Sequence, residues 1–236
     1  FLFDAPRDQE RALKKGVEII GAYVCKDFPR VPEVEKLIAE NKIEVTEFSQ
    51  AAFEAICYRE NPTGVILEAK GWETGLGDLK ISSPTLVVLA EDIEKPGNLG
   101  TLLRTADAAG VQAVIGGNQT VELFNPNTLR ASAGAAFNVP YASAALKDVL
   151  AWIKEKKLKL VATSPAAEKT LWEVDLTEPV VLAVGSEADG LSKELLRAAD
   201  EVVGLPMAGT GDSLNVSVAA GVILYETLRQ RKPQGK

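Results

Sequence analysis

Apolar and polar positions fall into two regimes along the chain. Up to about residue 70 the pattern switches back and forth between helical and strand-like periods. Residues 4–15 read as a helix that stops at Gly16, residues 18–24 (EIIGAYV) as a strand, and residues 32–41 as a helix with Pro32 early, where its missing N–H costs nothing. Residues 43–46 predict a short strand, Ser49 an N-cap for a helix through residue 56, and residues 65–69 (VILEA) a further strand. Residues 1–70 therefore predict a small α/β unit, and the Gly/Ser-rich stretch 71–84 (GWETGLGDLKISSP) a linker. From residue 85 to 236 the strands become continuous apolar runs, at 85–90, 112–116, 159–164, 179–186 and 201–207. Helical segments lie between and after them at 98–109, 126–135, 146–156, 190–199 and 213–231. Unbroken apolar strands alternating with helices predict a doubly wound parallel α/β sheet covered on both faces. The basic tail RQRKPQGK is expected to fray.

No stretch is long and apolar enough to predict a transmembrane helix, and the N-terminus lacks the features of a signal peptide. The chain starts without Met, inside what reads as a structural element, so further sequence is expected upstream of Phe1. Two cysteines, Cys25 and Cys57, are too few for a disulfide framework or a zinc site and predict reduced thiols in a cytoplasmic protein. The absence of histidine excludes Ser-His-Asp and Cys-His catalysis and every His-containing metal centre. No metal is expected. A net charge of −7 runs against nucleic-acid binding, although a basic face can sit on an acidic protein.

Ligands of open parallel sheets bind at the carboxyl ends of the strands. Three strand exits are rich in Gly, Asn, Asp and Ser: EDIEKPGNLG after residue 90, EADGLS after 186 and AGTGDSLNVS after 207. Neither G-x-G-x-x-G nor G-x-x-x-x-G-K-[ST] follows a strand, which disfavours nicotinamide and P-loop chemistry.

Three long segments resemble, in order, the motifs of the SpoU (TrmH-type) branch of the SPOUT RNA ribose methyltransferases: KPGNLGTLLRTADAAG (95–110), VVLAVGSEADGLS (180–192) and LPMAGTGDSLNVSVAAGVILYE (205–226). NPNTLRASAGAAFNVP (125–140) is similar to a family segment between the first two. The resemblance spans roughly residues 85–230. It implies S-adenosylmethionine as cofactor, a trefoil-knotted C-terminus, and a homodimer with its active site at the subunit interface. The first unit resembles an L30e-like RNA substrate-binding domain, though Asp4-Ala5 replaces a common Glu-Gly pair. Residues 1–80 hold 11 Lys and Arg against 15 Asp and Glu, an unusual balance for an RNA-binding surface.

The resemblance assigns catalytic roles to Asn98, Arg104, Glu187, Ser213 and Asn215. Each also has a structural reading: a helix cap for Asn98, simple capping of the last helix by Asp212 or Ser213 for the Ser213 and Asn215 pair, a first-turn carboxylate for Glu187, a salt bridge for Arg104. A ribose hydroxyl is a very weak acid, and Arg stays protonated, so Arg104 is read as an electrostatic activator rather than a base. Thr163, Gly185, Leu205, Met207, Ser213 and Leu214 are the expected cofactor contacts, mostly through backbone, with Gly185 and Gly209 permitting close approach. Ser132 and Gly134 fit the family segment and helix packing equally. The implied activity is 2′-O-methylation of rRNA, of the large subunit; a tRNA methylase and a non-catalytic RNA-binding assembly factor are the alternatives.

Overall fold

The computed structural model describes residues 1–83 and 85–231. Pro84, at the end of the expected linker, and residues 232–236 of the basic tail lie outside them.

The first unit is a four-stranded sheet of β1 (Leu2–Phe3), β2 (Ile19–Val24), β3 (Val45–Glu47) and β4 (Val65–Ala69), in the order β1-β4-β2-β3. β4 runs antiparallel to both neighbours, and β2 and β3 are parallel. Helices α1 (Pro6–Lys14), α2 (Pro32–Glu40) and α3 (Gln50–Ile56) accompany it. Pro6 and Pro32 open their helices, and Ser49 caps α3 by accepting from the Ala52 N–H at 3.4 Å. Asp4 lies before α1, not in it. One carboxylate oxygen accepts from the N–H groups of Tyr58 (3.0 Å) and Arg59 (3.1 Å) and from the Cys57 thiol, which fastens the segment after α3 to the chain start. Cys25 and Cys57 are both free thiols.

The second unit is a sheet of seven parallel strands, β5 (Leu86–Glu91), β6 (Ala113–Gly117), β7 (Tyr141–Ala144), β8 (Lys159–Thr163), β9 (Lys169–Thr170), β10 (Val180–Val184) and β11 (Glu201–Gly204). Their order is β7-β6-β5-β10-β8-β11-β9. The helices are α4 (Pro96–Ala108), α5 (Pro126–Ser132), α6 (Leu146–Glu155), α7 (Lys193–Ala198) and α8 (Val216–Arg231). Alternation along β5 shows the double cover. Leu86, Val88 and Ala90 join Leu102 of α4 and Ile223 of α8 in one core. Val87 and Leu89 join Trp152 of α6 and Leu195 of α7 in the other. The chain winds from β5 to β6 and β7 in one direction and returns to place β10 on the other side of β5, so the exits of β5 and β10 flank the reversal of strand order, where open α/β sheets place ligands.

Helices α4 and α5 meet at backbone distance. A Cβ on Gly100 would stand 2.3 Å from the Thr128 carbonyl oxygen and 2.7 Å from the Ala131 Cβ. The expected helix over 126–135 is broken: α5 stops at Ser132, Ala133 and Gly134 take left-handed φ of 49° and 86°, and a 3₁₀ turn follows over Ala135–Phe137. Among the described residues no helix is long and apolar enough to cross a membrane.

Candidate active site

The loop after β5 enters α4 through Pro96, the first helical residue. Asn98 is the third residue of that helix, so it is not the cap expected of it; Lys95 holds the cap position without a side-chain capping bond. The loop after β10 doubles back on itself. Ser186 and Gly190 exchange two backbone hydrogen bonds of 3.2 Å, and the Asp189 N–H donates to the Ser186 hydroxyl at 3.1 Å. Glu187 stands at the tip of this loop rather than in a first helical turn, because α7 begins only at Lys193, capped by Ser192. Gly185 is required by the same loop: a Cβ there would lie 2.2 Å from the Gly190 carbonyl carbon. Glu91, buried at the end of β5, accepts from the Ser192 N–H at 2.8 Å and ties the two exits together.

The last helix starts at Val216, three residues later than its sequence pattern suggests. Asn215, not Ser213, caps it: the Asn215 Oδ1 accepts from the Ser217 N–H at 3.0 Å. That bond fixes the orientation of the amide. Its Nδ2 must therefore donate, and does so to Glu187 Oε1 at 2.6 Å and to Asn98 Oδ1 at 3.2 Å. The Ser217 hydroxyl donates to the Asn98 carbonyl at 3.0 Å, and the Lys95 ammonium donates to the second Glu187 oxygen. Five side chains from three strand exits thus close one network along a cleft of about 200 Å³ lined by Ile93, Lys95, Asn98, Glu187 and Val216.

The Lys95 ammonium, with the amides of Asn98 and Asn215, holds the Glu187 carboxyl below the usual carboxylate range, and Glu187 raises Lys95 in return. Both groups are open to water, so the shifts are screened. An ionised Glu187 can only accept hydrogen bonds, which makes it an orienting group and not an acid. Lys95 and Ser217 were absent from the residues singled out in the sequence. Lys95 stands in the first motif, three residues before Asn98, and the need of Glu187 for a cation was the signal available.

Arg104 is exposed and makes no hydrogen bond or ion pair among the described residues. The structure does not bring it to the network. Ser213 is exposed in the segment between β11 and α8, and its hydroxyl is unpartnered among the described residues. The expected cofactor positions line up at the ends of neighbouring strands: Thr163 ends β8, Gly185 follows β10, and Leu205, Met207 and Leu214 follow β11. The Thr163 hydroxyl donates to the Ala183 carbonyl at 2.9 Å, so that side chain serves the sheet. Among the described residues no backbone N–H or C=O from 207 to 214 has a hydrogen-bond partner, and Met207 and Leu214 are 39% and 38% exposed beside them. Open backbone donors and acceptors next to apolar side chains fit an adenosyl amino acid. No group of three or more His, Cys, Asp and Glu side chains that could hold a metal ion stands among the described residues.

Residues 85–225 match the SpoU rRNA Methylase family, and residues 10–74 match the RNA 2'-O ribose methyltransferase substrate binding family. The 23S rRNA (guanosine(2553)-2'-O)-methyltransferase RlmP of Bacillus subtilis (strain 168) is 32% identical over 225 residues, which cover 95% of this chain and 87% of the relative. A crystal structure of an RNA 2'-O ribose methyltransferase superposes with a TM-score of 0.86 at 42% identity, covering 98% of this chain and 88% of that one. The SpoU methyltransferase AviRb from Streptomyces viridochromogenes, in complex with the cofactor AdoMet, superposes with a TM-score of 0.91 at 26% identity, over 98% of this chain and 90% of its own. A parallel sheet whose exits gather Asn98, Glu187 and Asn215, a family model that matches more than half of the chain, and a relative that covers 95% of it make this chain a member of the SpoU rRNA methylase family.

Proposed function

We propose that the protein methylates the 2′-hydroxyl of a ribose in rRNA, with S-adenosylmethionine as methyl donor and large-subunit rRNA as substrate. The observation that carries this reading is the Asn98–Glu187–Asn215 network beside the unpartnered 207–214 segment. The bound cofactor supplies an electrophilic methyl group next to the network. The 207–214 segment binds it through backbone groups, with Leu205, Met207 and Leu214 packing its apolar parts and Ser213 offering a hydroxyl. Asn98 and Asn215, locked by Glu187, orient the ribose. Arg104 stabilises the oxygen as its proton passes to solvent water and the oxygen takes the methyl group, and holds a neighbouring phosphate through its guanidinium fork. The match of residues 10–74 to the substrate-binding family supports RNA contact by the first unit, and a 23S rRNA relative covering nearly the whole chain supports rRNA over tRNA.

The reading includes a homodimer. Val218, Val222 and Tyr225 form an exposed apolar stripe at helical spacing on α8, 52%, 37% and 56% exposed, beside exposed Leu214. In this reading a partner seated there contributes its Arg104 to this chain's cleft. Family membership further supports the trefoil-knotted C-terminus, and an rRNA substrate supports a cytoplasmic location.

Transcripts of 23S rRNA, 16S rRNA and tRNA incubated with methyl-labelled cofactor test the proposal, with label expected on a 23S ribose. Label on tRNA alone transfers the activity to tRNA. No label, with no cofactor binding by calorimetry, leaves a non-catalytic RNA-binding factor.

A further inference from the structure

We propose that Arg11 is a positioning residue, locking the first unit against α4 so that RNA held by that unit is presented to the α4 side chains of the active site. This rests on the RNA methylation reading above. Arg11 projects from α1 across the seam between the two sheets. Its Nη1 lies 3.6 Å from Asp107 Oδ2, near the end of α4. The other Asp107 oxygen accepts from the Asn138 amide, so both carboxylate oxygens are committed. The stem of Arg11 crosses directly over Gly134, where a Cβ would come within 2.3 Å of the Arg11 Cδ and 3.2 Å of its Cβ. Gly134 also holds a φ of 86°, in the left-handed region. The glycine of the 125–140 segment thus serves both its own left-handed backbone and the passage of the Arg11 stem over it.

Beside this latch the seam is apolar. Phe1 stacks on Phe124 with ring centroids 4.4 Å apart. Apolar contact supplies attraction without direction, and units joined by it alone can slide. The ion pair beneath the Gly134 ledge supplies the direction. Asp107 lies three residues after Arg104, one helical turn along the same side of α4, so a unit aligned on Asp107 is aligned on Arg104. Arg11 and Asp107 are 49% and 23% exposed, so the pair adds little to global stability. Its effect on RNA presentation is therefore separable from folding.

The test is steady-state kinetics on an rRNA fragment, with cleavage of the 71–83 linker by a protease as a second readout. Arg11→Glu is expected to raise KM about fivefold or more at nearly unchanged kcat and melting temperature, and to speed linker cleavage. Gly134→Ala, which displaces the Arg11 stem without touching a charge, is expected to raise KM and speed linker cleavage likewise, with a lower melting temperature from the strained left-handed backbone. Arg11→Lys restores part of the effect, and Arg11→Glu combined with Asp107→Arg restores most of it. Unchanged KM and cleavage in Arg11→Glu overturn the proposal, as does a fall in kcat at constant KM. If the wild-type protein methylates no RNA, the activity reading fails, and the cleavage comparison still decides whether the latch exists.

Discussion

Asn98 and Arg104 share helix α4 but face different directions. Six residues at 100° each put Arg104 about 240° around the helix from Asn98 and about 9 Å along it. Asn98 turns toward Asn215 and Glu187, while Arg104 is exposed and unpaired among the described residues. The two side chains assigned to the proposed site therefore do not meet within one chain.

A site completed across a dimer predicts complementation. Arg104→Ala and Glu187→Gln are each expected to abolish methyl transfer while leaving a folded dimer. Subunits of the two variants, exchanged at equal amounts, should recover about a quarter of wild-type activity, since half the dimers carry one intact site. No recovery after verified exchange would place Arg104 in its own chain's site, or outside catalysis.

Lys95 is expected to set the acid limit of the activity. Its ammonium is the leading cause that keeps the Glu187 carboxyl low, so Glu187 stays ionised as the pH falls into the acid range. Lys95→Met is expected to raise the Glu187 pKa and move the acid limb of the kcat/KM profile to higher pH, and Lys95→Arg to leave it in place. An acid limb that does not move in Lys95→Met excludes this role.

Asp8 predicts an opposite dependence for stability. Burial, and then the neighbouring Asp4, push its carboxyl from 3.8 to about 7, and Oδ1 has no hydrogen-bond partner among the described residues. The folded state binds a proton that the unfolded state releases, so stability is greatest below about pH 4 for this group and is lost as pH rises through about 7. Asp8→Asn should therefore raise the melting temperature more at pH 8 than at pH 5. An equal change at both values would mean that Asp8 is ionised throughout.

Two glycines separate close packing from ordinary packing. Gly100→Ala drives a Cβ into the Thr128 carbonyl and is expected to cost about 1–3 kcal/mol by chemical denaturation. Gly221→Ala on α8 meets only the Thr105 Cγ2 at 3.5 Å, and should be neutral or gain up to about 1 kcal/mol from helix propensity. Equal losses at both positions would show that the α4–α5 contact yields more easily than its geometry indicates.

Much of this was legible in the residue pattern, and the exceptions share a cause. Residues 65–69 and the Ser49 cap come directly from local signals, and every apolar run after residue 85 became a strand. Leu2–Phe3, Lys169–Thr170 and Tyr141–Ala144 are short strands at sheet edges, defined by partners distant in sequence. The starts of α4 and α8 shifted because Pro96 sets one and the Asn215 side chain the other. Asn98, Glu187 and Asn215 could be picked out because each sits in a polar strand exit. The partnership of Lys95 with Glu187 and the outward aim of Arg104 could not, since both depend on how helices are rotated against the sheet.

Asn215 is at once the cap of α8 and the hub that grips Glu187 and Asn98. The helix bearing the stripe assigned to the dimer thus begins with the residue that closes the pocket. In the proposed dimer, ordering that first turn and assembling the pocket become one event, and subunit association and substrate affinity then draw on one equilibrium. By reciprocity, RNA that tightens the pocket is expected to tighten the dimer, and dilution that parts the subunits to loosen the grip on RNA.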